Sequence, residues 1–192
     1  MWRILLAVVA LVPVACARDG AGAERSPDAI DQRGTDLRTL TTGSTLESIQ
    51  LTHDAEVLAA VEGFLDSTIT VNDPPDPDHH DLGRYRTGPV LEMAIASVRQ
   101  NQQLGIAYRR PDISQSSHRA TVVSLDSDAA IVRDCVVDDA RQVAMADGRV
   151  LNDSTATKLF ETRLEVVDGL WKVSQNSLLE RWEGVAGCAV SG

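Results

Sequence analysis

The chain has 192 residues, 43% of them hydrophobic and 24% charged, proportions that suit one globular domain of about 100–150 residues with extensions. Lys and Arg number 18 against 28 Asp and Glu, a net charge of -10, so the phosphate backbone of a nucleic acid is repelled and DNA and RNA are not expected partners. With three Trp, two Tyr and two Phe, the chain is too poor in rings for a base-stacking or sugar-binding platform.

Arg3 precedes an apolar run of eleven residues, Ile4 to Val14, where a bilayer-spanning helix needs roughly 20. Such a run reads as an export signal. It ends in Val12-Pro13-Val14-Ala15-Cys16, which resembles the lipobox of bacterial lipoproteins, with a small residue directly before a cysteine. The resemblance implies a signal peptide over residues 1–15 and lipidation of Cys16, which would hold the protein at the cell membrane facing the extracellular or cell-wall side. Pro13 stands where that motif usually has Leu, and the alternative is an ordinary cleaved signal with Cys16 an incidental thiol.

Three cysteines in an exported chain leave an odd one to explain. With Cys16 acylated, Cys135 and Cys188 remain, and an oxidising compartment favours a bridge between them. The alternative is two buried thiols packed as small hydrophobes. Residues 16–48 are rich in Gly, Ser, Thr, Asp and Arg without a sustained apolar period, the composition of a flexible tether. The remaining residues, 49–192, make the folded domain.

In that domain the spacing of Val57, Val61, Phe64, Leu65 and Thr68 predicts a helix over about 54–70, opened by Thr52 or Asp54. Asn72 to Asp81 holds three prolines and reads as an irregular loop. Gly88-Pro89 opens a second helix to about Gln103, with Leu91, Ile95, Val98 and Gln102 on one stripe and Gly105 at its end. Beyond it the period falls to two. Strands are expected at 120–125, 129–137, 141–146 and 158–167, the last with Phe160, Thr162, Leu164 and Val166 on its dry face. Asp168-Gly169 supplies a tight type I′ hairpin turn. Helices followed by an antiparallel meander make a two-layered α+β domain.

Two N-terminal helices, a Pro-rich connection, and long strands closing in Val167-Asp168-Gly169-Leu170-Trp171-Lys172-Val173 resemble the nuclear transport factor 2-like (NTF2-like) superfamily. The resemblance covers about residues 50–185. It implies a cone in which the N-terminal helices pack on a curved antiparallel sheet of four to five strands. With the export signal, it is closest to envelope members of the SnoaL-like and Mce-associated type, many of which have no known activity. Isomerase-type members place a Tyr and two acids in an apolar cone, where burial raises a carboxylic pKa. Tyr85, Tyr108, Asp134 and Trp171 are the candidate pocket residues here, and none sits in a motif that matches residue by residue, so no catalytic residue is assigned. Arg133 and Asp134 point to opposite faces of their strand, so only one of them enters the cone.

Asp76, Asp78, His79, His80 and Asp81 could ligate a divalent ion, but neighbours on a Pro-rich loop rarely converge on one centre, and no metal is expected. Asp138, Asp139, Asp147 and Asp153 form an acidic edge without a DxDxDG loop. No Gly-rich phosphate loop, GxSxG elbow, HExxH or CxxC occurs, and no cofactor is implied. The function expected is a non-catalytic binding or assembly module on a lipid anchor, accessory to envelope transport, with an envelope protein or a small lipophilic ligand as partner. The alternatives are a SnoaL-like or isomerase-like enzyme, or a lipophilic-ligand carrier. A homodimer through the open sheet face stays possible, although Glu161, Arg163 and Glu165 make that face wetter than an obligate interface.

Overall fold

The computed structural model of the chain describes the backbone of residues 40–188 and the side chains of residues 52–188. The expected signal peptide, Cys16 and the tether as far as residue 39 lie outside the described residues. The described elements are the helices α1 (Leu40–Thr70), α2 (His80–Tyr85) and α3 (Gly88–Leu104), followed by strands β1 (Ile106–Arg109), β2 (Ser117–Leu125), β3 (Ala129–Asp138), β4 (Arg141–Ala144), β5 (Val150–Asn152), β6 (Ala156–Val167) and β7 (Leu170–Glu183). Among the described residues no helix is long and apolar enough to cross a membrane.

Helix α1 buries Val57, Val61 and Phe64, the stripe that a 3.6-residue repeat presents to one side. Its start at Leu40 is earlier than the expected Asp54 and takes residues 40–48 out of the tether. Gly43 and the Thr and Ser around it are weak helix formers, so nothing local announces those first turns. The Pro-rich loop is also shorter than expected. It gives way at His80 to α2, where the Nδ1 of His79 accepts the Asp81 amide at 3.2 Å as a cap. Helix α3 begins and ends close to the expected limits, with Pro89 in its first turn and Gly105 in the left-handed conformation as its cap.

Strands β2, β3, β6 and β7 form one antiparallel sheet in that order, and β1, β4 and β5 form a second of three strands. The fold is therefore α+β, with helices against a curved antiparallel sheet. Bulges at Val122/Ser124, Leu159/Phe160 and Arg163/Leu164 supply the local bends that curve it. The hairpin between β6 and β7 turns on Asp168 and Gly169 with φ of 55° and 75°, the positive pair that a type I′ turn requires. The second sheet departs from the single meander expected. Asp139 is buried and accepts from Ser114 Oγ at 2.9 Å and from the Gln115 amide, and Asp138 Oδ1 accepts the Ala140 amide at 3.1 Å. These bonds turn the chain away after β3, so β4 pairs with β1, Ile106 opposite Ala144.

The main core joins Val57, Val61 and Phe64 of α1 to Ala130 and Val132 of β3, Leu164 of β6 and Val173 of β7. A smaller cluster of Val71, Leu82 and Val98 holds α2 and α3. Between them lies Arg86, only 4% exposed. Its guanidinium donates to Ser67 Oγ at 2.8 Å, the Phe64 carbonyl at 3.2 Å and Thr68 Oγ1 at 2.9 Å, and stacks 4.6 Å over the Phe64 ring. Burial lowers its pKa to about 10 against the pull of the Asp81 charge, so the side chain stays cationic at neutral pH and clamps the end of α1. Asn72 adds a second clamp. It accepts from Asn101 Nδ2 at 2.8 Å and from the Tyr108 amide at 3.0 Å, joining the end of α1 to α3 and β1.

Cys135 and Cys188 form a disulfide with Cα atoms 6.1 Å apart. Cys135 lies on the outer face of β3, and the bridge draws the segment after β7 back across that face, where the Gly187 amide donates to Thr157 Oγ1 at 3.3 Å. Two stability changes follow. Cys188→Ser opens a loop with a sequence separation of 53 and should lower the unfolding free energy by about 4 kcal/mol in the chain-entropy account, read from urea midpoints under oxidising conditions. Gly63 on α1 has the Tyr85 ring directly against it, leaving no room for a Cβ. Gly63→Ala should therefore cost about 1–3 kcal/mol in the same assay, and an unchanged midpoint would show that the ring does not seat there.

Candidate functional site

The helices cover only part of the sheet's inner face. Beyond the main core lies a cleft of about 810 Å³, within the usual range for a small-ligand site, about 300–1,000 Å³. One wall is helical and mixed, with Phe64, Leu65 and Ile69 from α1 and Val90, Ala94 and Val98 from α3 interspersed with Glu62, Asp66, Thr68 and Ser97. The opposite wall belongs to the sheet and mixes Val136 and Phe160 with His118, Lys158, Asn176 and Arg181. Tyr108 and Gln142 of the small sheet close one side, the Tyr108 hydroxyl accepting from Gln142 Nε2 at 3.2 Å.

Asp134 lies where the packed core meets the open cleft. Even-numbered residues of β3 face inward, so Ala130, Val132, Asp134 and Val136 are buried while Arg133 stands 57% exposed outside, 3.5 Å from Glu161. Of the adjacent charges, Asp134 is the one that enters. The register sets it between Ala120 of β2 and Phe160 of β6, an apolar surrounding that leaves it 1% exposed. His118 stands opposite Val136, diagonal to Asp134 on the same face, within reach across the strands. Its Nδ1 lies 3.3 Å from Asp134 Oδ2, and its side chain keeps 31% exposure toward the cleft.

Burial drives the Asp134 pKa above the ordinary carboxylate value, while the His118 ring and the Arg119 amide pull it partly back. Neither neighbour is aligned as a hydrogen bond. Among the described residues, Nδ1 of His118 and both oxygens of Asp134 are buried without a hydrogen-bond partner. Such a pair can hold a proton and pass it to a group in the cleft, because the imidazole touches both the buried acid and the open space.

Of the four residues marked for the pocket, the structure brings two to it. Tyr108 lines the cleft and Asp134 reaches it through His118. Tyr85 and Trp171 instead pack against the main core, which corrects their expected place. Tyr85 seats on Gly63 with Arg84 5.3 Å from its ring centroid, and Trp171 pairs with Val166 near the hairpin. His118 escaped the sequence reading because the strand was expected to start at Ala120. The two-residue alternation extended back by one step puts His118 in line with Ala120 and Val122, the signal that would have found it.

His79, His80 and Asp81 bring three possible metal-ligand atoms within 4.8 Å of one another. His79 Nδ1 already caps α2, its ring stacks 4.7 Å from that of His80, and His80 Nε2 lies 3.2 Å from Asp81 Oδ1. These contacts describe a helix start held by its own side chains.

The raised Asp134 pKa has a definite sign in stability. Between about pH 4, the ordinary carboxylate range, and the raised value, the native state binds more protons than the unfolded chain, so this group's contribution to stability falls as pH rises. Asp134→Asn removes that dependence. The difference in unfolding midpoint between the variant and the parent chain should move in the variant's favour as pH climbs from about 4 toward neutrality, and a constant difference would refute the burial argument.

No protein-family model matches the chain, and no curated protein matches it in sequence. Solved structures match the chain at low identity. The intermembrane space region of the chloroplast protein ARC6 is 16% identical, with a TM-score of 0.50 over 62% of this chain and 91% of that one. The Kfla4162 protein from Kribbella flavida is also 16% identical, with a TM-score of 0.45 over 69% of this chain and 95% of that one. At this identity the first likeness speaks for the α+β fold alone.

Proposed function

We propose that the chain is a nuclear transport factor 2-like binding module of the bacterial cell envelope, held to the membrane by a lipid on Cys16, which takes a small lipophilic ligand into its cleft. The observation that carries the reading is the cleft of about 810 Å³, to whose helical wall Leu65 and Ile69 of α1 and Val90, Met93 and Ala94 of α3 contribute apolar surface between the polar side chains Glu62, Asp66, Thr68 and Ser97. A wall of this kind exposed to water gains by covering itself, at about 25 cal/mol for each Å² of apolar surface removed. The anchor and envelope location rest on Ala15-Cys16 and the apolar run before them. The outer sheet face argues for a ligand rather than a second copy as the partner. Arg133, Arg163 and Glu165 stand exposed there, and charge is depleted at the centre of stable interfaces.

A second reading, a SnoaL-like or isomerase-like enzyme, is favoured by Asp134, a buried acid beside His118 at the cleft boundary. The Tyr108 hydroxyl accepts from Gln142, and among the described residues no hydrogen bond joins it to that pair as a Tyr partner would. Native mass spectrometry of the chain purified from an oxidising compartment separates the readings. A non-covalent mass excess released unchanged by denaturation supports binding. A ligand recovered in altered form, with the alteration lost in Asp134→Asn, supports the enzyme, and a cleft that is empty in every preparation and takes up no lipophile overturns both.

A further inference from the structure

The register of the large sheet aligns one row of inward side chains across all four strands. His118 of β2 stands opposite Val136 of β3, Val136 opposite Lys158 of β6, and Lys158 opposite Arg181 of β7. All four line the cleft. The row thus places an ammonium next to a guanidinium, with an imidazole one strand farther on beyond Val136, in a protein whose net charge is -10. Like charges at neighbouring cross-strand positions repel. Only part of that repulsion is met within the row's surroundings. Lys158 Nζ donates to Asp138 Oδ2 at 2.7 Å, while no ion pair is present for Arg181 among the described residues. The acids on the facing helix are Glu62 and Asp66, and Asp66 is held by Arg110 at 2.6 Å.

A second observation lies at the end of the row. Among the described residues the buried Nδ1 of His118 and both oxygens of Asp134 lack hydrogen-bond partners, whereas the buried polar groups Arg86, Asn72 and Asn101 are satisfied. His118 Nδ1 and Asp134 Oδ2 face each other at 3.3 Å without hydrogen-bond alignment, and native structures keep few such buried groups without a reason. With Nδ1 turned to the carboxyl, Nε2 is the ring nitrogen left to meet a ligand.

We propose that the cleft is a site for a single-tailed anionic amphiphile, whose carboxylate or phosphate head lies on the row His118, Lys158 and Arg181 and whose apolar chain lies against α1 and α3. This deepens the binding reading and rests on it. The head accounts for the basic groups gathered on one wall, and the tail for the apolar side chains Leu65, Ile69, Val90 and Ala94 on the facing helices. Carboxylate and phosphate share the chemistry of the row, and Arg181 offers the planar fork that suits either.

The test is calorimetric titration of the purified full chain with decanoate, decyl phosphate, decanol and decyltrimethylammonium, four probes with one tail. The anionic heads should bind at least about tenfold more tightly than decanol, corresponding to about 1.4 kcal/mol, and the preference should shrink as salt rises. Arg181→Gln and His118→Gln should each reduce the preference several-fold without changing decanol affinity. Arg181 is exposed, so its variant folds even where a substitution at His118 disturbs the sheet. Tighter binding of decanoate than decyl phosphate, or the reverse, tells which head the row is built for. Equal affinity for decanol and the anions, or no effect of Arg181→Gln, overturns the anion site while the lipophilic cleft stands. A preference for decyltrimethylammonium overturns it as well, and failure of all four probes to bind removes both.

Discussion

The arrangement depends on how α1 meets the inner face of the large sheet. Its apolar stripe is seated over Ala130, Val132, Leu164 and Val173, one end of a face that runs on well beyond it. Covering that end removes apolar surface from water and makes the core. The other end, from Val136 and Phe160 onward, is left to α3 and the small sheet, which approach without filling it. A curved sheet longer than its helical cover must leave a hollow, and the hollow is the cleft. Asp134 falls on the boundary, which is why it is as buried as a core valine and yet one residue away from solvent through His118.

Two buried ionisable groups show opposite ways of meeting the cost of burial. Arg86 keeps its charge because the Phe64 carbonyl, two hydroxyls and an aromatic face surround it, and the same contacts tie the α2 to α3 segment onto α1. Its role is mechanical. Asp134 has no such shell. Its neighbours Ala120 and Phe160 offer no donors, so the acid is pushed toward its neutral form. A fold that can satisfy a guanidinium so fully and leaves a carboxyl unsatisfied a few residues from a cleft is one whose polar exceptions collect at the place where a ligand enters.

The outer face of the sheet has a different character. The disulfide and the segment after β7 cover its Cys135 and Thr157 end, and the rest presents charged residues that pair across strands, Arg133 with Glu161. One face is thus closed by covalent and polar contacts and the other holds the open cleft. A lipid anchor on Cys16, as proposed, would add a membrane tether upstream of α1 without calling on either face.

Local patterns determined much of this protein. The stripe of α1, the limits of α3, the inward alternation of β6 as far as Leu164, though not the expected Val166, which is exposed, the Asp168-Gly169 turn and the pairing of Cys135 with Cys188 were legible, because each rests on periodicity, on backbone angles open to few residues, or on a short inventory of thiols. The Ala15-Cys16 reading is sequence alone. Tertiary structure decided what local pattern does not encode. Residues 40–48 have no helical signature, yet they continue α1. Strand β4 left the meander because Asp139 anchors the β1 to β2 connection. Tyr85 went to a slot over Gly63 instead of the cleft. The row of His118, Lys158 and Arg181 spans three strands whose register depends on bulges and long-range pairing, and no window of sequence contains it. Side-chain period is a property of one strand, whereas a site on a sheet is a property of several strands in register, and only the folded chain sets that register.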